Sequence, residues 1–121
     1  MIAVIFEATP RDGMRDAYLD AAAQLRPLLD GIDGFISIER FESLTRAGTV
    51  LSLSFWRDEA AVIAWRSHAE HAAAQRAGRG DIFDDYRIRV AATVRDYSMT
   101  RREEAPQRLP PAAAGPGLTP M

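Results

Sequence analysis

The chain has no cysteine, no lysine, only two histidines and two tryptophans, and no long apolar run. Without cysteine there can be no disulfide, thiolate-held metal, iron–sulfur cluster or cysteine nucleophile. A bilayer-spanning helix needs about 20 consecutive apolar residues, and no stretch of the 121 residues approaches that. The start, MIAVIFEATPRDG, lacks the basic and long apolar regions of a secretory leader. The expected location is therefore cytoplasmic, with no membrane partner. A formal net charge of −2 gives no reason to expect nucleic acid as a partner. All fifteen basic residues are arginine, a compositional bias rather than a binding signature.

The remaining pattern is that of one compact unit. IAVIFEA is short, β-branched and closed by Thr9-Pro10, which predicts a strand with Ile2, Val4 and Phe6 on one face and Ala3, Ile5 and Glu7 on the other. MRDAYLDAAAQLRPLLDG carries apolar residues at helical spacing and ends at Gly31, with Pro27 late in the pattern. DGFISIERFES and TVLSLSFW alternate and form an expected antiparallel hairpin, Phe35 sharing a face with Ser37, Glu39 and Phe41. A helix follows, capped by Asp58 and stopped by Gly78 and Gly80. After the turn GDIFDDY, a long last strand is expected over YRIRVAATVRDYS. The order β-α-β-β-α-β predicts an α+β, ferredoxin-like fold, a four-stranded antiparallel sheet with both helices on one face. Such a sheet leaves an apolar face uncovered, which predicts a homodimer built sheet against sheet. Residues 1–98 make the domain. Residues 99–121 hold five of the seven prolines and no aromatic, and are expected to be a disordered tail.

Both tryptophans and both histidines fall in SFWRDEAAVIAWRSHAEHAAAQRAGRG, residues 54–80. At helical spacing Ala61, Trp65, His68, Ala69 and Ala72 share a stripe. On the plainer reading Trp65 anchors the core and His68 holds a boundary position. On the other, small alanines around one indole leave a roomy apolar pocket, the usual form of a small-molecule site. His68 and His71 have a permissible spacing for a metal pair, but a third ligand would have to be Glu7 or an acid of DIFDD, and no metal site is expected. Arg66, Arg76 and Arg79 suit either a bidentate hold on a carboxylate or phenolate, or compensation of the helix C-terminus. Phe83 and Tyr86 flank the next loop, and Tyr86 either donates its hydroxyl to a pocket or packs.

The strand ending Ser54-Phe55-Trp56, the AVIAW and RSHAEHAAAQRAGRG segments and the closing DDYRIRVAATVRDYS together resemble the antibiotic biosynthesis monooxygenase domain family. The resemblance implies a dimeric α+β barrel whose ligand lies between the sheet and the second helix, with Trp65 at the site. It also implies one of two chemistries. Cofactor-free oxygenases of the family oxidise phenols or quinols with O2. Here His68, His71 or Glu7 would accept the proton, Trp65 would form a wall, and Arg79 or Tyr86 would steady the oxyanion beside Phe83 and Gln75. Haem-degrading members carry a histidine where this chain has Gln75, and an asparagine where it has Glu7. The expected function is thus a cofactor-independent monooxygenase of a small phenolic or quinol substrate. Haem binding or degradation, and a non-catalytic dimeric ligand-binding module, are the alternatives.

Overall fold

The computed structural model describes residues 1–75 and 82–106, with backbone alone for 70–75. The elements are β1 (Ile2–Pro10), α1 (Arg15–Asp30), β2 (Phe35–Glu42), β3 (Val50–Trp56), α2 (Glu59–Gln75) and β4 (Phe83–Ala92). This is the ferredoxin-like order expected, and the four strands form one antiparallel sheet ordered β2-β3-β1-β4.

Register decides which side chains meet. Ile2, Val4, Phe6 and Ala8 lie opposite Trp56, Ser54, Ser52 and Val50, and these rows face the helices. Val50, Ser52, Ser54 and Trp56 are all buried. The alternate row carries Ala3, Ile5 and Glu7 against Phe55, Leu53 and Leu51 on the open face. One expected face was wrong. A register shift between Phe35 and Ser37 moves Phe35 to the helix side with Ile38 and Arg40, leaving Ser37, Glu39 and Phe41 on the other. A bulge adds one residue, so the period of two reverses across it.

β4 also differs from expectation. It begins at Phe83, because β1 runs on to pair Thr9 with Asp85 and Pro10 with Phe83. It ends at Ala92, because Ala92 already lies opposite Ile2, and after Thr93 N–H donates to Met1 O no neighbouring strand remains. Residues 99–106 have no helix or strand, and the rest of the expected tail, 107–121, lies outside the described residues.

The core gathers at one end. Leu29, Trp56, Ala61 and Val62 are buried together, with Ile2, Val4, Ile32, Phe35, Ile38 and Trp65 packed around them. Trp56 is 1% exposed, its Nε1 donates to Ser54 Oγ at 2.9 Å, and Phe35 meets its ring edge-on at 5.2 Å. Asp58 Oδ1 accepts the Ala61 N–H at 3.0 Å, the expected N-cap of α2. The approach of β2 to α2 depends on Gly34, whose φ is +93° and where a Cβ would lie 2.8 Å from the Ala61 Cβ.

Gly34→Ala is therefore expected to destabilise more than Gly48→Ala, which has φ +80° but open space around it. The strain common to both is about 1 kcal/mol, and the overlap at Gly34 adds about 1–3 kcal/mol; urea unfolding of the two variants measures the difference. A second test concerns Arg57, which bonds Asp33 through two nitrogens at 3.1 Å each and Asp58 at 2.9 Å. Its hydrogen bonds hold both carboxyls below their ordinary range. The lowered folded values make this stabilisation present above about pH 4 and lost as pH falls further. All three groups are exposed, so the effect is small and salt-sensitive. The gap in urea midpoint between the wild type and Arg57→Gln should close on going from pH 7 to pH 3, and again in high salt.

Candidate active site

Away from the Trp56 end, the helices stand off the sheet because they present small residues to it. Ala17, Ala21 and Ala22 of α1 and Ala69 of α2 line a cavity of about 730 Å³. Its floor is Val4, Phe6, Ser52, Ser54 and Ile88, its closed end Trp56 and Leu29, and its walls Trp65, Tyr18, Leu25 and Phe83. Phe6, Tyr18 and Phe83 form an aromatic cluster, the Tyr18–Phe83 and Phe6–Phe83 ring centres lying 5.3 and 5.6 Å apart. Arg40 carries the only formal charge among the described lining residues. Its Nε donates to the Tyr18 hydroxyl at 3.4 Å, and its guanidinium lies 5.8 Å from the centre of the Tyr18 ring. The arrangement can hold an apolar molecule of drug-like size out of water, with one cation at the rim.

Of the residues singled out in the sequence, Trp65 and Phe83 line this cavity. Tyr86 is 60% exposed, its ring beside Phe6 at 5.8 Å and outside the lining. His68 does not face the sheet as expected but is exposed. The reason is helical phase. Three residues beyond Trp65, His68 is rotated about 60° to one side, whereas Ala69 and Val62 lie about 40° and 60° to the other. Beyond the first turn the buried side of α2 is theirs; Ala61, only about 20° from His68 in azimuth, is buried because the helix meets the sheet at its start. Glu7 lies on the opposite face of the sheet, where Arg46 and Arg89 donate to its two oxygens at 3.3 and 3.5 Å. Glu7, Thr9, Arg46, Thr49, Asp85, Tyr86 and Arg87 line a separate charged cleft of about 210 Å³, so Tyr86 borders that cleft rather than the aromatic cavity. The side chains of His71 and Gln75, and all of Arg79, lie outside the described residues. Among the described residues no three acids or histidines cluster to hold a metal.

Three cavity residues escaped the sequence reading. Trp56, read from the sequence as the end of a strand, closes one end of the cavity; Tyr18 and Arg40 were not singled out at all. A signal for Arg40 existed: it shares a strand face with Ile38, an inward position where a charge is uncommon.

Residues 1–77 match the family model described as antibiotic biosynthesis monooxygenase. The chain belongs to that family. A Pyricularia oryzae protein named jasmonate monooxygenase ABM is 47% identical over 111 residues, 89% of this chain; the chain spans about half, 52%, of that relative's length. The Bacillus subtilis protein YqjZ is 30% identical over 89 residues, 74% of this chain and 75% of its own. Among solved structures, the haem degrader MhuD of Mycobacterium tuberculosis superposes with a TM-score of 0.61 at 15% identity, over 81% of this chain and all of that one. SnoaB, a cofactor-independent oxygenase of Streptomyces nogalater, gives 0.60 at 13% identity, over 78% and 94%. At those identities the likeness shows the fold alone, and it is shared by proteins of two different chemistries.

The cavity makes its own prediction. A neutral apolar dye, N-phenylnaphthylamine, is expected to bind one per chain and quench tryptophan emission. Filling the space with Ala21→Phe should weaken binding at least about tenfold, while Phe41→Ala on the open face leaves it unchanged. The reverse pattern would place the dye on the sheet instead.

Proposed function

We propose that this chain is a cofactor-independent monooxygenase that oxidises a small phenolic or quinol aromatic with O2 in the helix-side cavity. The observation that carries this reading is the cavity itself, walled by Trp65, Trp56, Tyr18, Phe6 and Phe83 in a member of this family. The 47%-identical relative named as a monooxygenase supports the reaction class.

Conversion of a phenol to a quinone balances without a reductant. The ring C–H and O–H are replaced by two carbonyls; the substrate gives four electrons to O2, one oxygen atom enters the ring and the other leaves as water. The protein need only bind the ring, exclude water and keep the intermediates together. Its aromatic walls do the first two. The phenol must lose a proton before it gives up an electron readily, and neither a carboxylate nor an imidazole is among the described lining residues. Of the three bases considered from the sequence, Glu7 and His68 point elsewhere, and the side chain of His71 lies outside the described residues. On this reading the substrate is taken up as the phenolate present in solution.

Haem is the alternative, and the described lining does not fit its ligation by histidine, since it contains none. His71 lies where side chains are not described, and no step is routed through haem. The open sheet face, with Ala3, Ile5, Leu53 and Phe55 at its centre and the Glu7–Arg46–Arg89 group beside them, suits a homodimer through that face. Among the described residues no helix is long and apolar enough to cross a membrane, in keeping with a cytoplasmic enzyme.

Oxygen-electrode assays of chelator-treated protein with a panel of hydroquinones test this. One O2 consumed per hydroxyquinone formed, with water and no hydrogen peroxide as the other product, is expected, with Trp65→Ala about tenfold slower or worse and His68→Ala within about twofold of wild type. The rate should rise about tenfold per pH unit up to the phenol's own pKa. A plateau below the phenol's own pKa that His68→Ala or His71→Ala removes would restore histidine as the base. No oxygen uptake with any quinol would sink the proposal.

A further inference from the structure

We propose that Arg40, oriented by Tyr18, is a carboxylate clamp at the cavity mouth, so that the substrate carries a carboxylate as well as its oxidisable ring. This rests on the reading of the cavity as the substrate site. Arg40 stands on the helix-facing side of the edge strand β2, opposite Ser52, itself a lining residue. Most positions on that side of the sheet are apolar or small, so a guanidinium there calls for a reason.

Partnership supplies one. Arg26, Arg46, Arg57 and Arg89 each lie within ion-pairing distance of a carboxylate of this chain. Arg40 lies near none among the described residues; Arg66, Arg87, Arg95 and Arg101 share that, but of these only Arg40 lines the cavity, and the acid two positions along its own strand, Glu42, is taken by Arg15. The contacts Arg40 does make are with Tyr18, through Nε and through the ring face. Tyr18 is itself fixed, 7% exposed and wedged against Phe6 and Phe83. Holding Nε sets the plane of the guanidinium and leaves its two terminal amino groups unspent, a fork that matches the two oxygens of a carboxylate. A phenolate, with one oxygen, would use half of it. The Tyr18 hydroxyl accepts from Nε and keeps its own proton to donate. At the rim the ion pair stays partly hydrated, so no large desolvation penalty opposes it. The oxidisable part of the ligand then lies inward, among Trp65, Phe83 and Phe6, where water is excluded.

Isothermal titration of the full-length protein with two matched pairs separates this clamp from the cavity on which it depends. The pairs are 2-naphthoate with its methyl ester, and 2-naphthol with its methyl ether. The wild type should bind naphthoate at least about tenfold tighter than the ester. Arg40→Met should abolish that preference while leaving ester affinity within about twofold. Arg40→Lys, a point charge without the fork, should keep part of it. Thermal melting of each variant reports its folding, and the retained ester affinity shows that the cavity is intact. Equal affinity of acid and ester in the wild type, or naphthoate binding indifferent to Arg40→Met, overturns the clamp but leaves the cavity standing. An Arg40-dependent preference confined to naphthol over its ether overturns the carboxylate assignment in favour of a phenolate. Failure of both neutral members, ester and ether, to bind overturns the cavity reading and the clamp with it.

Discussion

The packing of Trp56 is the constraint from which the rest of the site follows. Its indole ends β3, closes against Phe35, Leu29, Ala61 and Val62, and satisfies its one donor on Ser54 within the same strand. Truncating such a buried aromatic removes about 3–5 kcal/mol, a large share of what holds a small domain together. Because Gly34 lets β2 come within contact of Ala61, the start of α2 is clamped to the sheet at this end. Farther along, the helices offer alanine where a packed core would offer leucine. Close packing at one end and small side chains at the other leave an opening rather than a seam. The result is an open-mouthed cavity of about 730 Å³ lined by five aromatic rings.

The sheet keeps two environments apart. Toward the helices, Val4, Phe6, Ser52, Ser54 and Ile88 give an apolar floor with two hydroxyls. On the reverse, Glu7 is held by arginines from the β2–β3 loop and from β4. Since side chains alternate along a strand, Phe6 and Glu7 are one residue apart in sequence yet on opposite sides of the backbone layer. Proximity in sequence to a lining residue therefore says nothing about access to the cavity. Glu7 has no route to a ligand there, and its two arginine partners hold it on the open face.

How much was legible in the sequence follows from how local each determinant is. The element order was readable because alternation, the Asp58 cap and Gly31 act within a few residues. The end of β4 was not, because it is fixed by where β1 runs out, at the far end of the chain. The side taken by Phe35 depended on a bulge with no evident signature in FISIERFE. Trp65 was legible as a large residue in an alanine stripe. His68 was misplaced because beyond the first turn the buried side of α2 is set by Val62 and Ala69, about 100° or more round the helix from it, while Ala61, on its own side, is buried only where the helix start meets the sheet. Tyr18 and Arg40 become a pair only when α1 is laid over β2, 22 residues apart in the chain, and no local pattern announces that.

The distribution of charge argues for what the site contributes to chemistry. An oxygenase that used a protein base would need that base within about 3 Å of the proton it removes, and the described lining holds no group with that capacity at neutral pH. It holds instead one permanent cation and a set of aromatic walls. A permanent cation cannot take up a proton; it can only favour ligands that arrive as anions and hold them in one orientation. On the proposed reading such a site selects at the entrance and leaves the electron supply to the ligand. That division of labour suits a reaction in which all four electrons for O2 come from the substrate, because positioning and exclusion of water are then all that the protein must provide.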